Sequence, residues 1–132
     1  GSHANTFGGN PLCCAAALAT LKLVQGGYTQ NAERMGARIQ QRLQALAGKY
    51  EAIGDIRGRG LMIGVEFVLD RNSKAPAKAL ATKLVNRAYH NGLLLLECGA
   101  SGIRLIPPLM IEPGLVDEGM NILEKSLHEA LS

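Results

Sequence analysis

Residues 61–69 read Leu-Met-Ile-Gly-Val-Glu-Phe-Val-Leu, and their period decides the fold class. Leu61, Ile63, Val65 and Phe67 alternate with Met62, Gly64, Glu66 and Val68. A period of two is the mark of a β-strand, and this one is apolar enough on both faces to be largely covered. The residues before it follow the other period. Tyr28, Ala32, Met35, Ile39, Leu43, Leu46 and Tyr50 recur at spacings of three and four, which predicts a helix over 28–49 with one buried stripe. Arg34, Arg38, Arg42 and Lys49 fall off that stripe and read as a solvated face. Between helix and strand, "IGDIRGRG" (53–60) reads as a tight turn feeding the strand.

Toward the N-terminus, Asn10 can cap a helix and Pro11 suits its first position, where a missing N–H costs nothing. The helix expected over 11–25 is small-sided (Ala15, Ala16, Ala17, Ala19), with Gly26-Gly27 as its stop. Downstream, Asp70 to Pro76 is a polar turn. Residues 77 to about 90 form a third helix, with Leu80, Leu84 and Ala88 on one side and Gly92 as its stop. "LLLLE" (93–97) and "IRLIPPLMI" (103–111) are strand-like runs separated by "CGASG". Glu112-Pro113 starts a last helix, buried through Val116, Met120, Leu123 and Leu127.

With the run leading into the tight turn before residue 61 counted as a strand of its own, the order is helix, helix, strand, strand, helix, strand, strand, helix. Helices and short strands segregated in this way predict an α+β layer, a short, mainly antiparallel sheet covered by helices and preceded by a helical pair. Residues 1–3 read as a cloning remnant, with His3 belonging either to it or to the protein. Residues 4–50 then hold the loop and helical pair, and 51–132 the α+β part.

Composition narrows the class further. At 132 residues, 47% hydrophobic and 19% charged, the chain suits one globular domain. The net charge of +3 comes from scattered basic residues, with aromatics at 4% and no Trp, so a nucleic-acid surface has little to build on. No apolar run approaches the roughly 20 residues of a membrane span, and no stretch reads as a secretory signal. Three cysteines, two of them neighbours (Cys13 and Cys14), do not describe a disulfide scaffold. With Cys98 they read as reduced, mostly packing thiols of an intracellular protein. The histidines His3, His90 and His128 show no metal-ligand spacing.

Three places invite chemistry. "GDIRGRGLMIG" fails as a dinucleotide fingerprint: after Gly58 and Gly60 the third glycine falls at Gly64, one place late, and the segment enters a strand instead of opening a helix. Arg104 stands among apolar neighbours in "GIRLIPPLMI". A guanidinium there either snorkels to water or pairs with an anion, and its planar fork fits a carboxylate. The plainer account is a strand-end Arg paired with a structural Asp or Glu. Pro107 and Pro108 stiffen the chain just after it and remove ladder donors, as at an edge. The third place is "TFGGNP" (6–11). A hydroxyl and loop N–H groups beside a helix N-terminus make a phosphate cradle, and equally an ordinary capped loop.

Taken together, "TFGGNPLCCAAALATL", "IRGRGLMIGVEF", "GLLLLECG" and "IRLIPPLMIE", in that order, resemble the C-terminal part of class III pyridoxal-phosphate aminotransferases. The similarity runs from residue 4 over nearly the whole chain, and "LLLLECG" is most like the 4-aminobutyrate aminotransferases. The resemblance implies the small C-terminal domain of a fold-type I enzyme with pyridoxal 5'-phosphate as cofactor. Its substrates would be amino acids and 2-oxo acids, an ω-amino acid such as 4-aminobutyrate donating to 2-oxoglutarate. It also implies a cytoplasmic homodimer or higher homo-oligomer, with no nucleic-acid, membrane or metal partner. Thr6 would bind the cofactor phosphate across the dimer interface, Phe7 and Gly8 would shape the loop, and Arg104 would hold the substrate carboxylate. The lysine that carries the cofactor in this family lies upstream of "TFGGNP", so the chain alone is expected to be inactive. Lys22, Lys49, Lys74, Lys78, Lys83 and Lys125 sit in unrelated contexts. An ornithine or acetylornithine donor, or a stand-alone non-catalytic α+β binding domain, are the alternatives.

Overall fold

The computed structural model describes residues 5–132; the expectation for residues 1–3 lies outside them. Helix α1 spans Pro11–Leu23. Its cap is the one the sequence indicates: Asn10 Oδ1 accepts from the backbone N–H of Leu12 (3.0 Å) and of Cys13 (3.2 Å), with Pro11 in the first turn. Gly26-Gly27 does not end the chain of helices outright. A single π-turn, Val24–Tyr28, carries α1 into α2 (Thr29–Lys49), and the break is concentrated at Gly27, whose φ is +133°. No residue of α1 is buried.

Helix α2 buries Met35, Gly36, Ile39, Leu43 and Leu46, the stripe expected from its period. Strand β1 follows at Ile53–Arg59 and β2 at Met62–Phe67. The segment read as a tight turn is therefore mostly strand, and the turn itself is confined to Gly60 and Leu61. Glycines at 54 and 58 and charges at 55, 57 and 59 blur the alternation, yet pairing with β2 supplies the backbone partners that make the strand. A register shift between Ile53 and Asp55 bulges β1. Helix α3 (Lys78–His90) ends before Gly92, whose φ of +94° favours glycine. Strand β3 covers Leu96–Cys98 and β4 only Gly102–Leu105; "IPPLMI" is not strand, because Pro107 and Pro108 have no N–H to donate. Helix α4 runs Pro113–Leu131.

The sheet is four-stranded in the order β1-β2-β4-β3, and every pairing is antiparallel. Ile63, Val65 and Phe67 of β2 and Ile103 of β4 are buried in one core with the apolar stripes of α2, α3 and α4. The opposite parity, Met62 and Arg104 included, faces outward. The helices thus cover one face of the sheet and leave the other bare. The soft boundary expected near residue 50 falls between α2 and β1, which share that core, whereas α1 contributes nothing to it.

Charged residues bind α2 to α4. Arg38 donates from Nε and Nη2 to the two Asp117 oxygens (2.8 and 2.6 Å), Arg42 to Asn121 (2.8 Å) and Lys49 to Glu124 (2.8 Å). The basic face of α2 is therefore not simply solvated. Its partners lie 75–79 residues away in sequence. Among the described residues no helix is long and apolar enough to cross a membrane. Cys13 and Cys14 are exposed and Cys98 half-buried, so the first two thiols are not packing groups.

Candidate functional site

Arg104 sits in β4 between Ile103 and Leu105, whose side chains point to the core, so its own points to the bare face. It lies opposite Gly64 of β2 on one side and Leu96 of β3 on the other. The residue is exposed, and among the described residues it takes part in no ion pair. The account of Arg104 as the partner of a structural carboxylate is thus not what the structure shows. Five donors are left to meet an anion from outside.

The chain around it is held in place. Asn31 of α2 donates from Nδ2 to the carbonyls of Leu109 (2.8 Å) and Ile111 (3.1 Å), tying the Pro107-Pro108 loop to the helix layer. An apolar cleft of about 190 Å3 opens beside this loop, bordered by Arg104, Leu94, Ile106, Pro107 and Leu115. A second guanidinium, that of Arg57 in β1, whose residue lies on the other side of Gly64, is occupied. Its Nη1 donates to Asp55 Oδ2 and Glu66 Oε2, both at 2.6 Å. Those hydrogen bonds, first that of Asp55 and then that of Glu66, raise its pKa above the ordinary arginine value.

Thr6, Phe7, Gly8 and Gly9 form an exposed turn ahead of α1. The turn is closed by Asn10 N–H donating to the Phe7 carbonyl (3.2 Å), and Gly9 takes a φ of +79°. Gly8 packs over Asn5, where an added Cβ would meet Oδ1 at 3.0 Å. The turn fits a phosphate in one respect and not in another. The Thr6 hydroxyl is carried on an exposed turn whose glycines leave the backbone approachable. The N-terminus of α1, however, already has two of its free N–H groups taken by Asn10, so the helix end is not itself an open anion site. A phosphate here would be met by the hydroxyl and the loop.

The Thr6 turn is not part of the cleft that Arg104 borders. All six lysines are exposed, and among the described residues no three metal-ligating side chains come together.

A family model, aminotransferase class-III, matches residues 1–127. The chain belongs to the class III aminotransferases. A 4-aminobutyrate aminotransferase of Mycobacterium leprae is 43% identical over 125 residues, covering 92% of this chain and 28% of that protein. A leucine/methionine racemase of Thermococcus litoralis is 41% identical over 126 residues, covering 95% of this chain and 28% of that protein. Among solved structures, an amine transaminase from an uncultivated Pseudomonas species in its PLP-bound form superposes with a TM-score of 0.87 at 32% identity, covering 97% of this chain and 30% of that one. The chain spans less than a third of the length of these relatives.

Proposed function

We propose that this chain is the carboxylate-gripping small domain of a pyridoxal-phosphate aminotransferase that moves an amino group from an ω-amino acid, such as 4-aminobutyrate, to 2-oxoglutarate. The observation that carries the reading is Arg104, an exposed guanidinium without an ion-pair partner among the described residues, on the sheet face the helices leave bare. Family membership favours an enzyme over a stand-alone binding module. When bound, the cofactor supplies an electron sink that loosens the bonds at the amine-bearing carbon.

The residues of this chain would do the holding. Arg104 would take the substrate carboxylate with two parallel hydrogen bonds and so fix where the amine stands. The loop after it, anchored by Asn31, keeps the strand end from drifting. Thr6 would donate its hydroxyl proton to a cofactor phosphate oxygen, in a site completed by a second copy of the protein. Phe7 and Gly8 would shape that approach. The lysine that carries the cofactor would come from sequence outside this chain, and the whole protein would work as a cytoplasmic homodimer or larger homo-oligomer.

The relatives differ in what their names say they act on, so the donor is a separate question. An ornithine- or acetylornithine-type donor is the alternative, and kcat/KM of the full-length enzyme for 4-aminobutyrate against ornithine and acetylornithine distinguishes them. In the full-length enzyme, Arg104→Ala is expected to raise KM about tenfold or more for carboxylate substrates, the loss of a charge-assisted pair, and to leave plain amines nearly unchanged. An equal effect on both would make Arg104 structural.

A further inference from the structure

The bare sheet face carries a second arginine in register with the first. Arg57 of β1 lies opposite Gly64 of β2, and Gly64 lies opposite Arg104 of β4. Residues paired across strands project to one side, so both guanidinium groups share this face, with Cα atoms about 10 Å apart across two strand spacings. The residue paired between them, Gly64, has no side chain. The Arg57 stem leans over the glycine, its Cγ 3.9 Å from where a Cβ would be. The two arginines differ in their company. Arg57 is bound by Asp55 and Glu66 at 2.6 Å each, whereas Arg104 has no carboxylate partner among the described residues. Arg59, the next cation on β1, is one row away, opposite Met62 and in a groove that also includes Glu33.

We propose that Asp55 and Glu66 act as internal counter-anions that withhold Arg57 from substrate, so that a carboxylate arriving on this face is held by Arg104 alone. The inference rests on the reading of Arg104 as a carboxylate grip. Without the two acids the row would offer two cationic forks across a bare glycine. A dicarboxylate could then bind at Arg57, or bridge both, and carry its reacting end out of place. With them, two carboxylates face one guanidinium, and the cluster's net charge of about −1 repels a further anion from that side. Asp55 and Glu66 are positioning residues; neither needs to touch substrate.

The test reads the arginine Nε–H signals of the nitrogen-15-labelled chain during titration with glutarate. In the natural sequence the Arg104 signal is expected to move and the Arg57 signal to stay. In Asp55→Asn/Glu66→Gln the Arg57 signal should move as well, and glutarate should bind about two- to fivefold more tightly. Adding Arg57→Gln to that variant should restore the original affinity. Should the double variant lose its dispersed backbone spectrum, Glu66→Gln alone serves, with a smaller gain. An Arg57 signal that moves as much as that of Arg104 in the natural sequence, or stays still in the variant, overturns the proposal. The two readings fail separately: a silent Arg104 with an Arg57 that responds only in the variant removes the grip and keeps the masking, whereas a responsive Arg104 with an Arg57 silent throughout does the reverse.

Discussion

Single residues in this chain do work that their local sequence states unevenly. Asn10 and Pro11 announce their capping role directly, because a cap is built from neighbours within three positions. Gly36 announces nothing. It lies inside a helix, where glycine is unfavourable, and only the fold shows why no other residue fits: a Cβ there would stand 2.1 Å from the Gly60 carbonyl oxygen. Gly36→Ala is therefore expected to destabilise the chain by about 2–3 kcal/mol through forced separation of α2 from the β1–β2 turn, seen as a lower urea midpoint. Arg104 was legible as a strand residue with chemical interest, but that it finds no carboxylate partner among the described residues is a tertiary fact. Thr6 is exposed on its turn, as a residue reaching for a separate ligand would be. If it meets phosphate in the full-length enzyme, Thr6→Val should weaken cofactor retention about tenfold, the worth of one hydrogen bond to a charged group, in equilibrium dialysis. Unchanged retention would remove it from the site.

Among the elements, what the sequence discloses follows from how far each signal reaches. The stripes of α2, α3 and α4 were readable because burial on one face repeats along the element itself. Strand β1 was obscured because its bare outer face carries Asp55, Arg57 and Arg59, while glycines interrupt the rest. The pairing of the α2 cations with α4 was hidden for a different reason: each partner is an ordinary surface residue on its own helix. The same tertiary reach explains Arg71, which donates to the carbonyls of Ala47, Tyr50 and Glu51 and so satisfies the C-terminal end of α2 from a distant turn. These contacts make the fold sensitive to acid. The Asp117 carboxyl is held below the usual range chiefly by the Arg38 hydrogen bond, that of Glu97 by Lys78, and that of Asp70 by the Ser73 backbone N–H. Because the folded values are depressed, their stabilisation is fully present above the unfolded carboxylate values near pH 4 and is lost as pH falls through the lower folded ones. Thermal melts between about pH 6 and pH 2 should show Tm falling below about pH 4, and Asp117→Asn should flatten part of that fall.

As a whole molecule the chain divides into a packed layer and an appendage. The layer has one core; α1 lends it no side chain and shows Leu12, Leu18, Leu21 and Leu23 to solvent. An apolar helix without a home favours contact with other surfaces. Deleting residues 1–23 is accordingly expected to change the Tm of the layer by less than about 4 °C, the shift of roughly 1 kcal/mol in a domain this size. The same deletion should reduce self-association in sedimentation velocity. A collapse of the melt would mean that α1 supports the core after all. The route by which α1 departs depends on Gly27. No atom lies within 4 Å of the place a Cβ would occupy there, so crowding does not reserve the position; the backbone angle of +133° does. That angle is natural to a mirror-image amino acid and foreign to nineteen of the genetically encoded twenty. The direction of the first helix is therefore written in handedness, and a single added methyl of the ordinary stereochemistry would be enough to swing it elsewhere.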